Sequence, residues 1–167
     1  MEFESKIISR QIGDLLYASG FTLGTAESCT GGRISQAVIA IPGSSNYFKG
    51  GVVAYTDEAK EQILGVSAQT LAEKTAVSEE TAREMVEGAL KTLNVDFAIS
   101  ATGIAGPGGG TPETPVGMIW IGYGNRDEVR TFKLTENFGR DINLAIATNK
   151  AMRLMLDFLT EKLPKDV

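Results

Sequence analysis

A chain of 167 residues, 43% hydrophobic and 22% charged, has the length of one domain and enough apolar side chains to bury a core, which excludes a disordered or low-complexity protein. Its net charge of −5 argues against a general nucleic-acid binder but leaves room for a local pocket that takes one phosphate. No apolar run reaches the roughly 18 residues that cross a bilayer, and the charged start MEFESKIISR lacks the apolar centre of a signal peptide, so the expectation is a cytoplasmic protein.

The spacing of Ile7, Ile8, Ile12, Leu15 and Leu16 predicts a helix over 5–19 with Gly20 as its stop. Residues 21–26 alternate as a strand, and the turn ESCTGG leads into a helix through RISQAVIAI that Pro42 closes. Gly50 to Tyr55 reads as the next strand, and Asp57 caps a helix that contains Lys60 and ends at Gly65. Ser67 opens a short helix through Leu71. Ser78 opens a longer one, with Ala82, Met85, Val86, Ala89, Leu90 and Leu93 on one face. Residues 95–101 form a strand that runs into TGIAGPGGGTPETP. Two further strands, 116–123 and 128–135, turn at Gly124-Asn125, and a last helix covers Arg140 to Leu159. The fold class is α/β: a single layered domain over 1–167 with a mixed sheet of about five strands flanked by helices.

The chain has no histidine and one cysteine, Cys29. No internal disulfide can form, the composition speaks against a zinc or iron–sulfur site, and no cofactor is expected. A serine nucleophile would need a base other than histidine, and Ser–Lys pairs are a known arrangement. This singles out Ser45, Tyr55 and Lys60 within PGSSNYFKGGVVAYTDEAK. Lys60 could serve as base only if desolvation or a neighbouring cation keeps it neutral. Ten extended residues from Ser45 to Tyr55 would span roughly 33 Å. Either residues 43–49 fold back, or Ser45 of one subunit meets Tyr55 and Lys60 of another.

Three further places carry ligand chemistry. Ser28, Thr30, Gly31 and Gly32 occupy a strand-to-helix turn, where N–H groups and hydroxyls can meet an anion; the plainer reading is an N-cap with relieving glycines. Cys29 beside them could have a lowered pKa at a helix start. Thr102 and Gly103 begin a glycine-rich loop at a strand's carboxyl end, where open α/β sheets place ligands. Arg140 opens the last helix and could share a phosphate with its N–H groups.

With these residues in place, the chain resembles the CinA family. AESCTGG, PGSS, GGVVAYTDEAK, AVSEETAREM and ATGIAGPGGGTPETPVGMIWIG match its C-terminal domain, in order and from about Ile8 to Phe158. Larger members carry an N-terminal molybdopterin-binding-like domain, and this chain looks like the stand-alone form, a nicotinamide-nucleotide amidase. The resemblance implies hydrolysis of nicotinamide mononucleotide to nicotinate mononucleotide and ammonia by a metal-independent serine–lysine mechanism. It implies Ser45 as nucleophile, Lys60 as general base and Tyr55 in proton transfer, with Ser28 the alternative nucleophile. Ser28, Thr30, Thr102, Gly103 and Arg140 would line the pocket. The expected partner is this small-molecule substrate, with no nucleic acid or membrane, in a homodimer or higher homo-oligomer. A non-catalytic nucleotide-binding or regulatory module is the competing reading.

Overall fold

A computed structural model describes residues 2–164. The elements are α1 (Glu2–Ser19), β1 (Leu23–Glu27), α2 (Arg33–Ile39), a 3-10 turn (Ser44–Asn46), β2 (Phe48–Val53), α3 (Asp57–Leu64), α4 (Ala68–Lys74), α5 (Glu79–Thr92), β3 (Phe97–Gly103), β4 (Ile119–Asn125), β5 (Val129–Leu134) and α6 (Arg140–Lys162). The strands form one sheet in the order β2-β1-β3-β4-β5. β1 lies parallel to both β2 and β3, whereas β3-β4 and β4-β5 are antiparallel. The expected mixed five-stranded α/β fold is therefore present.

The period-2 alternation of strand side chains sorts the core into two layers. Leu23 of β1, Phe97, Ile99 and Ala101 of β3, and Ile121 and Tyr123 of β4 face the layer of α1, α2 and α6, where Ile12, Leu16, Ile34, Met152 and Leu159 are buried. The alternate residues Ala26 and Ala98 face α3 and α5, against Leu64, Met85, Val86 and Ala89. With helices on both sides, β1 is buried along its whole length, as a parallel strand covered on two faces must be. The parity has one consequence for the site: Glu27 ends β1 on the α2 side, and the next residue, Ser28, turns to the α3 side.

Several boundaries differ from the expected ones. The N-cap of α3 is Thr56, not Asp57; its hydroxyl accepts from the Ala59 N–H, leaving Asp57 in the first turn, where its charge suits the helix dipole. β4 runs through Gly124-Asn125, and the chain reverses after them, because Gly124 pairs with Val129 and the Asn125 side chain accepts from the N–H groups of Asp127 and Glu128. β2 starts at Phe48 rather than Gly50, pairing Phe48 with Leu23 of β1 across a one-residue register shift before Gly24 and Gly50. Close packing of α3 on α5 depends on Gly88: a Cβ there would lie 2.0 Å from the Leu64 carbonyl oxygen.

Among the described residues, no helix is long and apolar enough to cross a membrane.

Candidate active site

The three parallel strands end on the same side of the sheet, and the residues just beyond them form a cleft of about 290 Å³. Ser28 follows β1, Tyr55 follows β2, and Thr102 and Gly103 close β3; Lys60 comes from α3 and Arg140 from α6. Open α/β sheets bind ligands at this edge. A larger depression, about 570 Å³, lies at the other end of the sheet between α5 and the β4-β5 turn. Its lining interleaves Arg83, Lys91 and Arg126 with Glu87, Asp127 and Glu128, and it holds no nucleophile beside a base.

Lys60 donates from Nζ to Ser28 Oγ at 2.9 Å. The lysine is 1% exposed, among the largest fully buried side chains in the molecule, and Ser28 is buried as well. Among the described residues no carboxylate lies within salt-bridge distance of Nζ. Burial therefore pulls the Lys60 pKa below its ordinary 10.5, and the more distant charge of Asp57 opposes this only in part. Lys60 also stands in the first turn of α3, where the helix dipole disfavours a cation. A lowered lysine pKa beside a serine hydroxyl is what proton abstraction by an amine requires.

The turn after β1 is held from beneath. Glu27 is fully buried, and its carboxylate accepts four hydrogen bonds. Thr30 Oγ1 (2.7 Å) and the Ile34 N–H (2.8 Å) donate to Oε1, and the Ser35 N–H (3.0 Å) and Ser35 Oγ (2.8 Å) donate to Oε2. The N-cap position of α2 is Gly32, which has no side chain to offer, so Glu27 caps the helix from a distance. Among the described residues, the N–H groups of Cys29 and Thr30 make no backbone–backbone hydrogen bond.

The mouth of the cleft is built differently. Arg140 donates from Nη1 to the Gly106 carbonyl at 2.9 Å and reaches Tyr55 Oη from Nη2 at 3.4 Å. The buried Asn143 pins the loop behind it, donating to the Ala105 carbonyl at 3.1 Å and accepting from the Phe138 N–H at 2.8 Å. On the opposite wall, Thr102 Oγ1 donates to the Ala76 carbonyl at 2.8 Å. That bond ties β3 to the α4-α5 loop, whose Ala76 and Val77 also line the cleft.

The structure thus gathers Ser28, Lys60, Tyr55, Thr102, Gly103 and Arg140 and leaves three sequence candidates outside. Ser45 lies in the 3-10 turn before β2, exposed, at the amino end of the parallel strands. The six residues of β2 separate it from the cleft by roughly 20 Å. Thr30 is fully buried with its hydroxyl given to Glu27, and Gly31 supplies a positive φ of 56° to the turn and does not line the cleft. Gly103 serves packing as well as the cleft, since a Cβ there would come within 2.4 Å of the Met118 carbonyl oxygen. The Tyr55 hydroxyl pairs with Arg140 and, among the described residues, with neither Ser28 nor Lys60. Cys29 reverses its expectation: burial beside Ala105, Ile119 and Leu144 pushes its pKa up to about 12, so it is a neutral thiol.

Two features escaped the sequence. Glu27 could have been found, because a lone acid ending an otherwise apolar strand points inward by parity. Ala76 and Val77 give no such signal; only the packing of α4 and α5 brings them to the cleft.

Comparison with known proteins agrees with this architecture. Residues 5–159 match the family model described as the CinA C-terminal domain. A CinA-like protein of Leptospira interrogans is 54% identical over 121 residues, 72% of this chain and 29% of that protein. A putative competence-damage inducible protein of Halothermothrix orenii is 47% identical over 150 residues, 89% of this chain and 36% of its own length. The chain spans about a third of the length of such curated relatives. Among solved structures, the competence damage-inducible protein A (ComA) of Klebsiella pneumoniae superposes with a TM-score of 0.91 at 34% identity, covering 95% of this chain and 98% of that one. The competence/damage inducible protein CihA of Agrobacterium tumefaciens gives 0.90 at 38% identity, covering 94% and 96%. A family model over nearly the whole chain, and near-complete superposition on solved relatives, place this protein in the CinA C-terminal domain family.

Proposed function

We propose that the cleft hydrolyses a carboxamide, that of nicotinamide mononucleotide, with Ser28 as nucleophile and Lys60 as general base. The observation that carries this reading is the buried 2.9 Å hydrogen bond between Lys60 Nζ and Ser28 Oγ. A binding module has no use for a desolvated lysine aimed at a serine. Of the two serines the sequence put forward, Ser28 is the one within reach of the base.

In this reading the neutral Lys60 amine takes the Ser28 proton as Oγ attacks the amide carbon. The oxygen that gains charge meets the N–H groups of Cys29 and Thr30, and such donors are worth about 3–4 kcal/mol each in comparable enzymes. The Lys60 ammonium returns the proton to the departing nitrogen, which leaves as ammonia. Water then attacks the Ser28 ester, giving its proton to Lys60, and nicotinate mononucleotide departs with Ser28 restored. The pyridinium ring favours attack on its carboxamide and suits the exposed face of Tyr55 at the mouth. The phosphate would meet the Arg140 guanidinium and the start of α6.

The test is ammonia release from nicotinamide mononucleotide with chelator present, for wild type, Ser28→Ala and Ser45→Ala. The expected result is release by wild type and Ser45→Ala and none by Ser28→Ala. Release by Ser28→Ala but not by Ser45→Ala would move the nucleophile to Ser45, supplied by a second copy. Nucleotide binding without release by wild type would favour a regulatory binding module.

A further inference from the structure

The proposed chemistry uses Ser28, Lys60 and two backbone N–H groups, and leaves one fully buried ionisable side chain unexplained. Glu27 touches nothing in the cleft, yet it precedes the nucleophile directly and takes four donors on its two oxygens. Every one of those donors lies within the eight residues that follow it. The carboxylate therefore draws the turn Ser28–Gly32 and the start of α2 into one closed unit. The bond to Thr30 constrains that turn between Ser28 and Gly31, where the Cys29 and Thr30 N–H groups sit.

The network extends one residue further. Ser35 Oγ contacts Thr25 Oγ1 at 2.7 Å, so the side chains of Thr25, Ser35 and Glu27 form a polar chain between β1 and α2. Space for it comes from Gly51 on β2, where a Cβ would stand 2.2 Å from Thr25 Oγ1 and 2.5 Å from Ser35 Oγ. Four satisfied donors and a glycine that makes room amount to far more than one helix cap needs.

We infer that Glu27 is a positioning residue for the amidase reaction, fixing the direction of Ser28 Oγ toward Lys60 and of the following N–H groups toward the oxyanion. The inference rests on the proposed amidase reading. Two of the four Glu27 bonds take the Ile34 and Ser35 N–H groups, and the Arg33 N–H goes to the Thr30 carbonyl, so the first turn of α2 offers a phosphate no free N–H and the phosphate falls to Arg140 and α6. Loss of Glu27 should consequently slow the chemical step and spare binding.

The variants are Glu27→Gln, which keeps the shape but places an amide donor against the Ser35 N–H, and Gly51→Ala, which displaces Thr25 and Ser35 from a site outside the cleft. Two readouts are taken on protein shown to be folded by its thermal transition. One is the kcat and KM split with nicotinamide mononucleotide. The other is the rate at which a fluorophosphonate labels Ser28: the Oγ–P bond forms, the P–F bond breaks, fluoride leaves and Lys60 takes the proton. For Glu27→Gln we expect kcat and labelling rate to fall together, about tenfold to a hundredfold, with KM within about twofold. Gly51→Ala should move the same way by less, and it keeps the test open if Glu27→Gln does not fold. Folded variants that label and turn over at the wild-type rate, or that lose KM and kcat alike, would overturn the inference. Wild type labelled at Ser28 but inert toward the nucleotide would sink the substrate assignment alone, and slower labelling of Glu27→Gln would still support the positioning role. Wild type not labelled at Ser28 would overturn both.

Discussion

Helices α2 and α6 both begin at a glycine of positive φ, Gly32 at 107° and Gly139 at 92°, and neither glycine has a side chain with which to cap its helix. At α2 the missing cap is supplied by Glu27, whose carboxylate takes the Ile34 and Ser35 N–H groups. At α6 the nearby side chains look elsewhere: Asn137 accepts from Gly139 and Asn143 accepts from Phe138. Among the described residues, the N–H groups of Arg140, Asp141 and Ile142 have no acceptor. One helix start is closed beside Ser28; the other is open at the mouth beside a guanidinium. On the proposed reading, bond making belongs to the α2 end and ligand holding to the α6 end, and each assignment can be broken separately.

The largest effects belong to the α2 end. Ser28→Ala or Lys60→Met should lower kcat for ammonia release about a thousandfold or more while nucleotide binding, followed by calorimetry, persists. Lys60→Met also reports on the buried amine. Because burial lowers the Lys60 pKa in the folded state, between that lowered value and 10.5 the unfolded chain holds more protons than the folded one. Stability therefore rises with pH across that window and lacks this contribution below it. The methionine variant should lose the rise and unfold at neutral pH no earlier than wild type, as thermal scans at several pH values would reveal. In the wild type, kcat/KM should fall as pH drops through the Lys60 pKa, since a protonated amine accepts no proton.

The α6 end gives the next largest effect, of the opposite kind. Arg140→Gln removes a charged partner of the phosphate and should raise KM about tenfold to a hundredfold, with kcat within about twofold. A fall in kcat with KM unchanged would put Arg140 in the chemistry and erase the contrast between the two helix starts. Gly88→Ala works through the scaffold: its methyl would push against the Leu64 carbonyl and displace α3, the carrier of Lys60. We expect a loss of about 1–3 kcal/mol in chemical denaturation, with a lower rate of Ser28 labelling. The smallest effect is expected from Ser45→Ala, whose kcat should stay within about twofold because an exposed serine outside the site has little to lose. A large loss that also depends on enzyme concentration would show that Ser45 reaches the cleft from another copy.

Much of the fold was legible because its signals are local. The apolar stripe Ala82, Met85, Val86, Ala89 with Ser78 before it specifies α5, and its Ser78 hydroxyl accepts from the Thr81 N–H as an N-cap should. The strand expected over 95–101 and the glycine-rich loop after it likewise announce the carboxyl edge of a sheet, although pairing with Trp120 and Ile119 carries β3 on through Thr102 and Gly103. Boundaries slipped where a partner strand decides them, as at Gly124-Asn125, which pairing with Val129 keeps inside β4.

The site was legible by residue type and less so by partnership. The absence of histidine made a lysine base the natural choice, and Lys60 is the lysine that lies buried beside a serine. Proximity along the chain suggested Ser45 as its partner, but a parallel strand carries the chain from one edge of the sheet to the other, so residues at its two ends cannot meet within one copy. Composition and periodicity by themselves determined the layered α/β class, the serine caps of α4 and α5 and the chemical types available, since these depend on a residue and its near neighbours. Which serine meets the lysine, and that burial leaves Cys29 an inert thiol, were decided only by tertiary structure. Each depends on which strands lie side by side and on what the packed interior excludes from water.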